Sequence, residues 1–142
     1  MAGRILVGVD GSEGSRRALR WAIDEATARG ATLDAIFVWP SPNAYVDGLY
    51  VPVDEKKLIG DARERLAQTI AEVAGPDPQV DIHPVVLEGD PAQVLCTWSG
   101  EAELLVVGSR GHGDFAGLLL GSVSTNCTQH GRCPVVVVPP VP

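Results

Sequence analysis

LLVVGSRGHGDFAGLLLGSVS, residues 104–124, places five glycines between a run of four aliphatic residues and a segment that can open a helix. A short aliphatic run bounded by glycine reads as a strand buried on both faces. Glycine gathered directly behind it signals positive φ, or a partner that approaches the main chain too closely for a Cβ. Gly108, Gly111 and Gly121 therefore mark a place where a turn, a second strand or a ligand meets the backbone.

The rest of the chain follows the same grammar. RILVGVD (4–10), ATLDAIFVW (31–39), QVDIHPVVLE (79–88), LLVVGS (104–109) and CPVVVVP (133–139) are aliphatic runs of strand length. Between them, residues 12–30, 55–74, 89–103 and 121–131 carry apolar positions at helical spacing. Ser12 or Ser15 suits the cap of the first helix and Gly30 its end; Asp90 with Pro91 opens the third. Pro84 lacks a ladder donor, so its strand belongs at a sheet edge. Residues 40–54, with three prolines and two tyrosines, read as a long functional loop. Strands that are aliphatic throughout and alternate with helices predict one doubly wound α/β domain over 1–142, its parallel sheet covered by helices on both faces. In such a sheet a ligand sits at the carboxyl ends of the strands, where the strand order reverses.

Composition narrows the function. The 142 residues are 45% hydrophobic and 20% charged, with a net charge of −7. That balance argues against bulk electrostatic binding to nucleic acid or an anionic membrane. It is compatible with an anion site built from backbone N–H groups. The segment MAGRILVGVD lacks a secretory h-region, and the aliphatic runs are too short to span a bilayer. Cys96, Cys127 and Cys133 form an odd set without C-x-x-C spacing, which suits reduced thiols, with a Cys127–Cys133 pair as the lesser possibility. The expected location is the cytoplasm.

The glycine loop fits neither familiar phosphate motif. A Walker loop is absent, since the only lysines are Lys56 and Lys57, and so is the G-x-G-x-x-G fingerprint. What stands is Gly108-x2-Gly111-x9-Gly121-Ser122. With ILVGVDGSEGS near the start, LLVVGSRG, GSVS and CPVVVVP, the chain resembles the nucleotide-binding type of the universal stress protein family. The resemblance implies a five-stranded parallel sheet in the order 3-2-1-4-5, with strands one and four side by side. It implies ATP or a related adenine nucleotide, Mg accompanying it, and a homodimer formed through the last strand. Carried over by motif, Gly108 lies under the ribose, and Gly111, Gly121, Ser122, Val123 and Ser124 cradle the phosphates. Asp10 lies near the adenine, ribose or bound metal, and Val38 meets the adenine edge. Gly8, Val9 and Val107 complete the strand ends, and Arg110 is close enough in sequence to help.

Elementary chemistry supports that assignment. The first N–H groups of a helix opening at Gly121 lack intrahelical acceptors and attract anions. The hydroxyls of Ser122 and Ser124 are expected to add donors. Plainer roles are available for other residues. Asp10 can cap the first helix, and Gly113 and Gly117 can simply loosen the loop. His112 reads as a solvated loop residue, His130 as a favourable charge at a helix C-terminus, and His83 as structural. Trp21 and Trp98 read as packing residues, and Arg16, Arg17 and Arg20 as a solvated helix face. Tyr45 and Tyr50 are candidates to cover the nucleotide.

ATP hydrolysis needs a positioned water and charge stabilisation on the transferring phosphoryl group. The loop offers only Asp10 or Asp114 as a base and Arg110 as a cation. The expectation is a non-enzymatic, ATP-binding stress or signalling protein. The alternatives are an adenine-nucleotide α-hydrolase-like enzyme that activates a substrate with ATP, and a nucleotide-free dimerisation module. VDGSEGS does not reproduce the residue order of the S-G-G-x-D-S pyrophosphatase loop, and the glycine signature disfavours the module.

Overall fold

The structure, a computed structural model, describes residues 3–39, 44–46, 48–51, 54–111 and 120–141. In chain order these form β1 (Arg4–Gly8), α1 (Glu13–Arg29), β2 (Thr32–Trp39), β3 (Ala44–Val46), β4 (Leu49–Val51) and α2 (Glu55–Ala74). There follow β5 (Ile82–Glu88), α3 (Pro91–Trp98), a 3-10 turn (Ser99–Glu101), β6 (Leu104–Gly108), α4 (Ser122–His130) and β7 (Val135–Val138). His112, Gly113, Asp114 and Gly117, to which sequence reading gave loop or catalytic roles, lie outside the described residues, as do the side chains of Tyr45 and Tyr50.

Five strands form one parallel sheet in the order β5-β2-β1-β6-β7. With the small β3–β4 hairpin set aside, this is the expected 3-2-1-4-5 order. Successive residues of a strand face opposite sides, and both sides are apolar here. Ile5, Val7, Leu33, Ala35, Leu104 and Val106 pack with Leu19, Ala22, Leu66 and Val73 under α1 and α2. Leu6, Ile36, Leu105 and Val107 pack with Leu95 and Cys127 under α3 and α4. Ile5, Leu6, Val7, Leu105 and Val106 are wholly buried, each contributing roughly 1.5–3 kcal/mol relative to exposure. A sheet covered on both faces explains why its central strands read as aliphatic runs rather than alternating ones.

The elements begin and end where local chemistry allows. Ser12, Asp54 and Asp90 N-cap α1, α2 and α3, accepting from the N–H of Ser15, Lys57 and Gln93. Gly30 ends α1 in the left-handed region at φ 64°. Three expectations are corrected. The 40–54 segment, read as a loop, contains the antiparallel β3–β4 hairpin. The third helix is shorter than residues 89–103, because Trp98 hands over to a 3-10 turn. The arginines of α1 do not form a uniformly solvated face. Arg16 reaches Glu72 of α2 at 2.8 Å, and Arg20 donates to the Val73 carbonyl.

Candidate functional site

β1 sits between β2 and β6, and the chain winds away from it in both directions. This reversal leaves a crevice over the strands' carboxyl ends. A cavity of about 390 Å³ occupies it, within the range of small-molecule sites. The strand ends supply Gly8, Val9, Val38, Val107 and Gly108, and the segments that follow supply Asp10, Arg110 and Gly111. The start of α4 supplies Gly121, Ser122, Val123 and Ser124. All twelve residues singled out from sequence thus line one cavity. Sequence reading missed Ser12, Ser15, Ile36, Asp90, Pro91, Ala92, Leu95 and Asn126, which line it too. The run Gly89-Asp90-Pro91 carried a usable signal, because it opens a helix directly after the carboxyl end of β5.

Asp10 is oriented by the first turn of α1. Its Oδ1 accepts from the Ser12 N–H at 2.9 Å and from the Ser12 hydroxyl at 2.5 Å. The Asp10 N–H donates to Ser15 Oγ at 3.2 Å. Asp10 is therefore not the cap of α1. It braces Ser12, which is.

The base of the glycine loop is closed by a polar clasp. The Ser109 carbonyl accepts from the Gly121 N–H at 2.5 Å and from the Ser124 hydroxyl at 2.8 Å, and the Gly121 carbonyl lies 3.1 Å from the same hydroxyl. Ser109 and Ser124 are both buried. One hydroxyl has one proton, and that of Ser124 is committed to these carbonyls. The expectation that Ser124 adds a hydroxyl donor toward a ligand is thereby corrected. Its hydroxyl holds the two ends of the loop together.

α4 begins differently from α1, α2 and α3. Its N-cap is Gly121, extended at φ −78° and ψ 176°, with no side-chain cap. The N–H groups of Ser122, Val123 and Ser124 have no intrahelical acceptor by position. They open beside the cavity with the positive end of the helix dipole. Gly108 has a reason of its own to lack a side chain, since a Cβ there would lie 2.9 Å from the Gly14 carbonyl carbon and oxygen.

The sequence profile of the Universal stress protein family matches residues 1–139. The chain belongs to that family. Universal stress protein Rv2623 of Mycobacterium tuberculosis is 41% identical over 134 residues, covering 94% of this chain and 44% of its own length. The chain thus spans less than half of that relative. A universal stress protein of Mycolicibacterium smegmatis is 39% identical over 141 residues, 96% of this chain and 45% of its own. Among solved structures, the universal stress protein UspA of Lactobacillus plantarum shares the fold, with a TM-score of 0.76 at 21% identity over 96% of this chain and 97% of that one. A universal stress protein solved in complex with cAMP is 30% identical, with a TM-score of 0.61 over 96% and 95% of the two chains. The universal stress protein fold is therefore shared.

Proposed function

We propose that this universal stress protein chain binds an adenine nucleotide, ATP foremost, in the switch-point cavity and uses it as a regulatory ligand with little or no hydrolysis. The observation that carries the reading is the uncapped N-terminus of α4, whose open N–H groups border a cavity of about 390 Å³ at the β1–β6 junction. The 30% identical relative in complex with cAMP supports an adenine nucleotide as the ligand class.

In this reading the Ser122, Val123 and Ser124 amides and the Ser122 hydroxyl receive the phosphates. Arg110 and Gly111 flank them. Gly108 and Val107 face the ribose, while Val38, Gly8 and Val9 form the apolar side toward the base. Among the described residues no group of three or more His, Cys, Asp or Glu is arranged to hold a metal ion. Mg would therefore arrive with the nucleotide, held by phosphate oxygens with Asp10 as the nearby carboxylate, a donor set that suits this hard cation. The location is proposed to be cytoplasmic; among the described residues no helix is long and apolar enough to cross a membrane. Self-association through β7 is proposed as well.

The test is direct. The purified protein is denatured, and released nucleotide is identified by mass spectrometry. The refolded chain is then titrated with ATP, ADP, AMP and cAMP. Saturable binding is expected, with a thermal upshift corresponding to about 2.7 kcal/mol at a hundredfold excess over Kd. Absence of any binding sinks the reading. Phosphate release at ordinary enzyme rates, abolished by Asp10→Ala, would replace the regulatory reading with an enzymatic one.

A further inference from the structure

Two thiols sit where the helices flanking the cavity meet. Cys96 follows Leu95 on α3, and Cys127 follows Asn126 on α4; Leu95 and Asn126 both line the cavity. Cys96 and Cys127 share one apolar cluster beneath that face of the sheet. Cys96 Sγ lies 3.8 Å from the Asn126 carbonyl oxygen, one residue from Cys127. The Cys96 thiol lies near enough to Cys127 to raise that thiol's pKa. Cys127 is wholly buried, whereas Cys96 is half-buried. Cys133 is engaged elsewhere, its Sγ 3.4 Å from the Pro134 carbonyl oxygen and beside Ser99.

We propose that Cys96 and Cys127 are a redox pair, which a peroxide converts into a reversible disulfide pinning α3 to α4. Cys96 reacts first, because it is the more exposed. Burial and the neighbouring Cys96 push the Cys127 thiol up to about 12, so Cys127 stays protonated and unreactive toward the oxidant. The Cys96 sulfur attacks one peroxide oxygen, the O–O bond breaks, and the departing hydroxide takes the proton that Cys96 gives up. Cys96 is then a sulfenic acid. The Cys127 sulfur attacks the Cys96 sulfur, the S–S bond forms, and the S–O bond breaks. The leaving hydroxyl takes the Cys127 proton. Two thiols and one hydrogen peroxide become one disulfide and two waters, with two electrons passing from sulfur to peroxide. An external dithiol reverses the step by exchange. The disulfide forms whether or not the cavity holds a nucleotide, so it stands apart from the reading above.

The partner choice is a property of the fold. In an unfolded chain Cys127 and Cys133, six residues apart, would close the shorter loop and pair more readily than Cys96 and Cys127. Native protein is treated with hydrogen peroxide, alkylated and digested without reductant. A single dominant crosslinked peptide joining Cys96 to Cys127 is expected, lighter by two hydrogens and lost on adding a dithiol. Cys133→Ser is expected to give the same product. Cys127→Ser is expected to leave a Cys96 sulfenic acid that a dimedone-type reagent traps. Predominant pairing of Cys133, crosslinks only between chains, or Cys96 passing to sulfinic acid without a crosslink would each overturn the proposal.

Discussion

A Cβ at Gly108 would press on the Gly14 backbone at 2.9 Å, and one at Gly14 would lie 2.7 Å from the Arg110 carbonyl oxygen. Neither obstacle is the end of a flexible side chain. Gly108→Ala and Gly14→Ala are therefore each expected to cost about 1–3 kcal/mol by overpacking, measured by chemical denaturation. Gly60 is the control. It is exposed within α2, and an added methyl there would meet nothing within 4 Å, so Gly60→Ala is expected to stabilise by about 0.5–1 kcal/mol. The sequence showed that position 108 needed glycine. It could not show that part of the reason was Gly14, because the crowding joins the end of β6 to the start of α1, far apart in the chain. Ser124 teaches the same lesson. Its place in the motif suggested a ligand donor, while its hydroxyl holds the Ser109 and Gly121 carbonyls. Ser124→Ala is expected to lose about 1 kcal/mol of stability, and Ser124→Thr to recover part of it, read from the same denaturation curves.

Strand β5 carries a titratable device at its outer end. His83 Nδ1 lies 3.2 Å from Asp34 Oδ1 and Nε2 lies 2.9 Å from Asp81 Oδ2, while Arg4 Nε approaches Asp34 at 3.5 Å. The hydrogen bond to Asp34, then that to Asp81, raises the His83 pKa above its ordinary 6.5. A raised folded-state pKa means that the protonated form is stabilised on folding. The contribution is full below 6.5 and fades as pH rises through the higher folded value. Thermal melts across this window should show wild type exceeding His83→Asn at acidic pH, with the gap closing at alkaline pH. A gap that widened with pH would refute the assignment. At this scale the sequence was most legible in its caps. Asp90-Pro91 and Gly30 announced helix ends because capping is local chemistry. It was least legible at Ala44–Val46 and Leu49–Val51, since three-residue strands are too short to display a period.

Across the whole molecule, the parallel sheet could be read from sequence because buried parallel strands must be aliphatic, while the strand order that sets the switch point came from the resemblance to the family. The eight further lining residues were harder to find, because Ser12 and Ser15 at the start of α1, Asp90, Pro91, Ala92 and Leu95 at the start of α3, Asn126 on α4 and Ile36 on β2 meet only through how the helices pack over the strand ends. The two sheet edges differ in the same physical terms. At β5, the Leu33 N–H donates to the Asp81 carbonyl, so alternate residues from Asp81 onward face β2 and Pro84 faces outward, where its missing N–H blunts the edge. At β7, the Pro134 and Val138 carbonyls accept from Leu105 and Ser109. Val135 and Val137 therefore turn their N–H and carbonyl groups away from β6, and the strand carries no charge. Among the described residues no strand pairs with this edge, and it is expected to pair with its counterpart in a second copy about a two-fold axis. Val137→Pro removes one outward donor and leaves the β6 ladder intact. Light scattering at micromolar concentration is expected to show dimers of the native chain and at least about a tenfold weaker association for the variant, a loss of roughly 1.4 kcal/mol. Equal association of both, or a native chain that stays monomeric, would show that β7 is not the contact.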